Sequence, residues 1–109
     1  MMKVIIAGPD DDELGTHLER AGASITRVNG LATRTALEES GIDGADLFVL
    51  TNADQATAIP IVREQTESVR IVVYTRDSIP EFARPQAGLI VDPEAVAPDV
   101  VAEELLASD

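Results

Sequence analysis

Short apolar runs alternate with amphipathic stretches along the whole chain, and no repeat or low-complexity linker interrupts the beat. "KVIIA" (3–7) is almost continuously apolar, as a strand covered on both faces requires. The spacing of Leu14, Leu18 and Ala21 predicts a helix over 12–21, with Asp10 to Asp12 as N-cap candidates and Gly22 as its stop. "SITRV" (24–28) alternates polar and apolar residues, which suits a strand nearer an edge. A turn at Asn29 and Gly30 follows, then a short helix capped by Thr33, running through Ser40 and ending at Gly41. "ADLFVLT" (45–51) reads as a second buried strand. Asn52 or Asp54 then caps a helix to about Glu67, with Ala58, Ile59 and Val62 inward and a kink at Pro60. "RIVVYT" (70–75) is the third buried strand, and Asp77 or Ser78 opens a short helix that holds Pro80 in its first turn. "AGLIVD" (87–92) is the fifth strand of the series, followed by Pro93 and a last helix over 94–107 carrying Ala97, Val101 and Leu105.

Five strands, each followed by a helix, call for right-handed crossovers and a parallel sheet with helices on both faces. The expected fold is a three-layer α/β/α sandwich in one domain spanning 1–109. A ligand cleft in such a sheet lies at the carboxyl ends of the strands. Residues 8–12, 29–30, 51–54, 75–78 and 92–94 would gather there.

Composition narrows the chemistry. Aromatic residues make up 3% of the 109 residues and Trp is absent, so there is no stacking platform for bases. Twenty acids against eight bases give a net charge of −12, which disfavours nucleic acid and anionic membrane as partners. Among the bases only Lys3 is lysine. Acidic, lysine-poor composition of this kind resembles cytoplasmic proteins of salt-loving archaea, in which salt screens the repulsion between surface carboxylates. Without cysteine there is no disulfide, thiolate nucleophile or zinc ribbon. No apolar run approaches a membrane span and no signal sequence opens the chain, so a cytoplasmic location without membrane insertion is expected.

The loop "GPDDDELG" occupies the place where a dinucleotide-binding protein keeps glycines for pyrophosphate. Gly8 and Gly15 stand at its ends, but Asp10, Asp11 and Asp12 fill the middle and would face a phosphate with like charge. Three readings remain open for this loop: a capped and solvated turn, a cation site built on carboxylates, or a nucleotide contact. Further cleft candidates are Asn29 at the end of the second strand, and Thr51 and Thr75 at strand ends. Either threonine could serve a ligand or cap local backbone. Arg76 is the single cation expected at the cleft edge, to hold an anion or to pair with Asp77 or Asp92. His17 is the lone histidine, and no Ser-His-Asp set, Walker lysine or acid-base pair is visible, so no enzyme activity is expected.

Several families share parts of this pattern. "KVIIAG", "LGTHLERAGASITRVNG", "ADLFVLTNADQATAIPIVRE", "RIVVYTRD" and "AGLIVDPEAVAPDVVAEEL" together resemble the TrkA-N family, the RCK N-terminal or KTN domain. That resemblance implies a Rossmann-like sheet ordered 3-2-1-4-5, a homodimer, and a link to potassium transport through a transporter or regulatory partner. It also implies binding of NAD(H) or an adenine nucleotide through Gly8, Asp10, Asp12, Gly15, Asn29, Thr51, Thr75 and Arg76. In this chain the aspartates replace the glycine loop's middle, and Asn29 replaces a ribose-binding Asp. The sequence also resembles small stand-alone proteins of halophilic archaea, some of which carry the name CTP synthetase. That activity would need a phosphate loop and a glutaminase cysteine, and the chain has neither. Finally, acids after the first strand, Thr75 after the fourth and Pro93 after the fifth are similar to response-regulator receiver domains. In those domains a phospho-acceptor Asp ends strand three, where Thr51 stands here, and a Lys precedes the proline, where Asp92 stands here. A degenerate receiver would order its sheet 2-1-3-4-5.

Overall fold

The computed structural model describes residues 2–28 and 30–107. Five parallel strands form one sheet: β1 (Lys3–Ala7), β2 (Ser24–Val28), β3 (Leu47–Leu50), β4 (Arg70–Tyr74) and β5 (Leu89–Val91). Four α-helices flank it: α1 (Leu14–Arg20), α2 (Arg34–Glu39), α3 (Ala58–Gln65) and α4 (Pro98–Ala107). The period-two alternation of the strands divides the core into two layers. Ile5, Ala7, Phe48, Leu50, Ile71 and Val73 pack with Leu37, Ile59 and Val62 from α2 and α3. Val4, Ile6, Leu47, Val49, Val72 and Tyr74 pack with Leu14, Leu18, Val101 and Leu105 from α1 and α4. The expected three-layer α/β/α sandwich is therefore the fold.

The strand order is β2-β1-β3-β4-β5, which corrects the order 3-2-1-4-5 implied by the TrkA-N resemblance. The reason lies in burial. An order of 3-2-1-4-5 would make β3 an edge and bury β2 between neighbours. "LFVL" of β3 is buried at every position, whereas Ser24, Thr26 and Arg27 of β2 are exposed. The chain puts its most apolar strand at the centre and its polar one at the rim, which costs the least desolvation of polar side chains.

The predicted helices need adjustment at four places. The first is α1, which runs over Leu14–Arg20 rather than 12–21 because residues 10–13 form the turn closed by the Asp10 carbonyl. Helix α3 begins at Ala58 rather than near Asn52, because Asn52 instead accepts from the Asp54 N–H at 2.9 Å and caps a 3-10 turn, Ala53–Gln55. Pro60 thus falls in the first turn, where its missing N–H breaks no helical bond and no kink need follow. The helix expected near 77–78 does not form: residues 75–88 run as turns, ending in a 3-10 turn Arg84–Gln86. Only Ile79 and Ala83 of its 76–86 stretch reach the core, too little apolar surface to hold an amphipathic helix. The last helix starts at Pro98, after a turn at 93–95 that hangs on the Asp92 carbonyl. Helix α2, by contrast, is capped as expected, Thr33 Oγ1 accepting from the Ala36 N–H at 3.1 Å.

Candidate functional site

The carboxyl ends of β1, β3, β4 and β5 converge on a cleft of about 330 Å³, lined by Asp10, Asp11, Asp12, Thr51, Thr75 and Arg76 together with Pro9, Asn52, Tyr74, Asp77 and Pro93. The cleft thus brings together five of the eight residues singled out for ligand binding. Gly8, just after β1, and Gly15, in the first turn of α1, are not among its lining residues, and Asn29 falls outside the described residues.

The three aspartates divide into separate tasks. Asp10 is turned inward: its carboxylate accepts from the backbone N–H of Leu14 at 2.8 Å and of Gly15 at 2.9 Å, and from Arg27 at 3.0 Å. It caps α1 from four residues upstream, since the chain between them is closed by the Glu13 N–H donating to the Asp10 carbonyl at 3.0 Å. Glu13 itself holds a left-handed φ of 59° to make that closure. Asp12 faces the cleft, where Arg76 donates to both its oxygens at 3.0 Å each. Asp11 is exposed and has no hydrogen bond or ion pair among the described residues.

Arg76 is therefore committed to the chain's own acids. Its guanidinium forks onto Asp12, and its Nε donates to Glu94 at 3.1 Å, so it joins the β1–α1 loop to the β5–α4 loop across the end of β4. The partners are Asp12 and Glu94 rather than the anticipated Asp77 or Asp92. The β5–α4 turn explains this, because the Asp92 carboxylate accepts from the Glu94 N–H at 2.9 Å and so projects Glu94 toward the cleft. Glu94, Arg27 and Tyr74 were missed by the sequence reading. Arg27 and Glu94 act across 17 and 18 positions, where no local periodicity signals a pair.

Hydrogen bonding to Arg76 holds the Asp12 carboxyl below the usual carboxylate range, against a smaller opposing push from burial. The same bonds to Asp12 and Glu94 raise the Arg76 guanidinium. Beneath them the Tyr74 hydroxyl donates to the Val96 carbonyl at 3.3 Å. Its pKa is raised first by burial and then by the negative charge of Asp12. A carboxylate depressed in the folded state stabilises the fold above its unfolded pKa, and that contribution is lost as pH falls through the folded value. Replacing Arg76 with Gln is expected to return Asp12 to the ordinary range. NMR titration of the side-chain carboxyl carbon checks this, and thermal midpoints of the two proteins should differ at neutral pH and converge in acid. An Asp12 titration that is the same in both proteins would show that the bridge does not set it.

The remaining candidates serve the chain's own backbone. Thr51 Oγ1 donates to the Ala7 carbonyl at 3.2 Å, and Thr75 Oγ1 accepts from the Asp77 N–H at 3.2 Å. The two glycines at the loop's ends have packing reasons. A Cβ on Gly8, whose φ is +103°, would meet Thr51 Oγ1 at 2.4 Å, and one on Gly15 would meet an Arg27 nitrogen at 2.5 Å. Among the described residues no three His, Cys, Asp or Glu side chains come together as a metal-binding group. No helix among them is long and apolar enough to cross a membrane.

No curated protein matches the chain. Solved structures do match in fold. An orphan response regulator of H. pylori aligns with a TM-score of 0.73 at 17% identity, covering 97% of this chain and 94% of its own. A protein ascribed to pilus assembly in Burkholderia thailandensis aligns at 0.71 and 17% over the full length of both chains. A response regulator of Burkholderia multivorans gives 0.62 at 16%, covering 99% and 94%. These likenesses show a fold shared with those response regulators and, with the order 2-1-3-4-5, overturn the TrkA-N resemblance together with its link to potassium transport. A family model described as a family of unknown function, DUF7126, matches residues 4–105. The chain belongs to that family, DUF7126.

Proposed function

We propose that the chain is a non-enzymatic, receiver-like protein-interaction domain in which the phosphoryl-accepting chemistry of a receiver has been replaced by a fixed ionic bridge. The observation that carries this reading is the two-pronged bond between Arg76 and Asp12 at 3.0 Å on each arm. It ties up the one cation among the described residues of the cleft lining, so that Asp11 and Asp77, the exposed acids left there, have no basic side chain beside them to draw in a phosphoryl group. Thr51 supports it, because the hydroxyl that stands at the acceptor position is spent on the Ala7 carbonyl. Asp92 supports it further, since a carboxylate stands where the receiver pattern has a lysine and would repel an incoming phosphoryl group. An adenine nucleotide or NAD(H) fits poorly for the same reason: no side-chain cation in the cleft lining is left to meet its phosphates.

Incubation with acetyl phosphate, and separately with beryllium fluoride, each with magnesium, is the test. Intact mass should show no added phosphoryl group, and the amide spectrum of residues 8–12, 51–52 and 75–77 should not shift. Covalent uptake of phosphate at any residue of the cleft sinks the reading. So would saturable binding of NAD(H) or ATP by calorimetry, which would restore a nucleotide site.

A further inference from the structure

The two edges of the sheet are built differently. On one side β2 presents exposed Ser24, Thr26 and Arg27, and Arg27 is anchored to Asp10 at 3.0 Å. Polar side chains and a charge are the usual protection of an edge against another strand. On the other side β5 is Leu89, Ile90 and Val91, with no polar residue and with Ile90 41% exposed. It pairs with β4 alone. The Val91 carbonyl accepts from Thr75 at 3.1 Å, so the alternation of the ladder turns the N–H and C=O of Ile90 toward the open edge. A three-residue strand offers few backbone bonds, but an apolar groove of about 300 Å³ adjoins it. Leu89, Val91, Val96, Val101 and Leu105 line that groove between the strand and α4.

Charge decides what suits this surface. Residues 87–107, which supply β5 and α4, hold the acids Asp92, Glu94, Asp99, Glu103 and Glu104 and no lysine or arginine. All five are exposed; Glu104 lines the groove itself, as does Arg70 at the start of β4, so acids outnumber bases there by five to one. A second copy would bring like charges together, as would nucleic acid or an anionic membrane. We propose that the outer edge of β5 and its groove form a docking site for an extended segment of another protein, apolar at alternate positions and basic at its ends. Such a segment extends the sheet by one strand, sets every second side chain into the groove, and places its basic ends among the acids. This rests on the reading of the chain as an interaction domain.

The probe is a fluorescein-labelled peptide, Lys-Lys-Val-Thr-Val-Thr-Val-Lys-Lys, titrated into the full chain by anisotropy and followed by amide shifts. Saturable binding is expected, with the largest shifts at Leu89 to Val91 and at Val101 and Leu105. The same peptide with Glu in place of every Lys should not bind. Ile90→Pro removes one outward N–H without touching the β4 ladder, and should weaken binding about tenfold. Ile90→Lys keeps the backbone N–H and sets a cation beside the basic peptide; it should give a similar loss, and it decides the matter if the proline variant does not fold. Unchanged affinity in the folded variants, equal binding of the acidic peptide, or no binding overturns the docking site. Shifts confined to the cleft do the same. Self-association of the chain that Ile90→Lys abolishes would show a second copy on this edge and overturn the proposal too. These failures leave the interaction reading standing, whereas phosphoryl uptake at the cleft sinks that reading by itself.

Discussion

Truncation of Phe48 to alanine is expected to cost about 4 kcal/mol and to lower the thermal midpoint by roughly 20 °C. Phe48 is fully buried in the central strand, paired in register with Ile5 on one side and Ile71 on the other. Its ring belongs to the layer covered by α2 and α3, so an alanine there leaves a void beneath both helices. With an aromatic content of 3%, the chain has few large side chains that could shift to fill it. Small domains hold only about 5–15 kcal/mol in total, so this loss is a large fraction. Thermal and urea unfolding measure it. A cost under about 1 kcal/mol would show that the two-layer core is packed otherwise than described.

Gly8→Ala is expected to cost about 3 kcal/mol from two separate causes. Its φ of +103° lies in a region that a residue with a Cβ occupies only under strain. The new Cβ would also stand 2.4 Å from Thr51 Oγ1 and 3.1 Å from the Asn52 backbone nitrogen. The double variant Gly8→Ala with Thr51→Ala separates the causes. It removes the hydroxyl contact but keeps the backbone strain, so the double-mutant cycle should show recovery of part of the loss and not all of it. Full recovery would mean that the backbone accepts alanine at this φ. No loss in the single variant would mean that the ends of β1 and β3 are farther apart than described.

Much of the architecture was legible before any coordinates, because apolar runs with helical spacing between them constrain a parallel sheet closely. Strand order is legible too, in the polar alternation of "SITRV" and the unbroken apolarity of "LFVL", whereas family likeness points to a different order. An edge strand and a central strand differ in what their second face meets, and those two segments state the difference. The cleft was readable as a location but not as chemistry. Asp10, Asp12, Thr51, Thr75 and Arg76 were placed at one sheet end by counting strand ends. Which acid would take Arg76 depended on turn geometry at Glu13 and Asp92, which no period in the sequence encodes. The absent helix after β4 was hidden for a similar reason, since a capping residue and a first-turn proline were present while the buried stripe was not.

The bond between Arg76 and Asp12 can also be put in terms of effective concentration. A dissolved cation competing for Asp12 meets a guanidinium tethered to the same sheet, present locally at a concentration on the order of millimolar or higher whatever the bulk contains. Screening by salt weakens the attraction without removing the competitor. For Asp12 the tethered arginine is a ligand that dilution and dialysis leave in place.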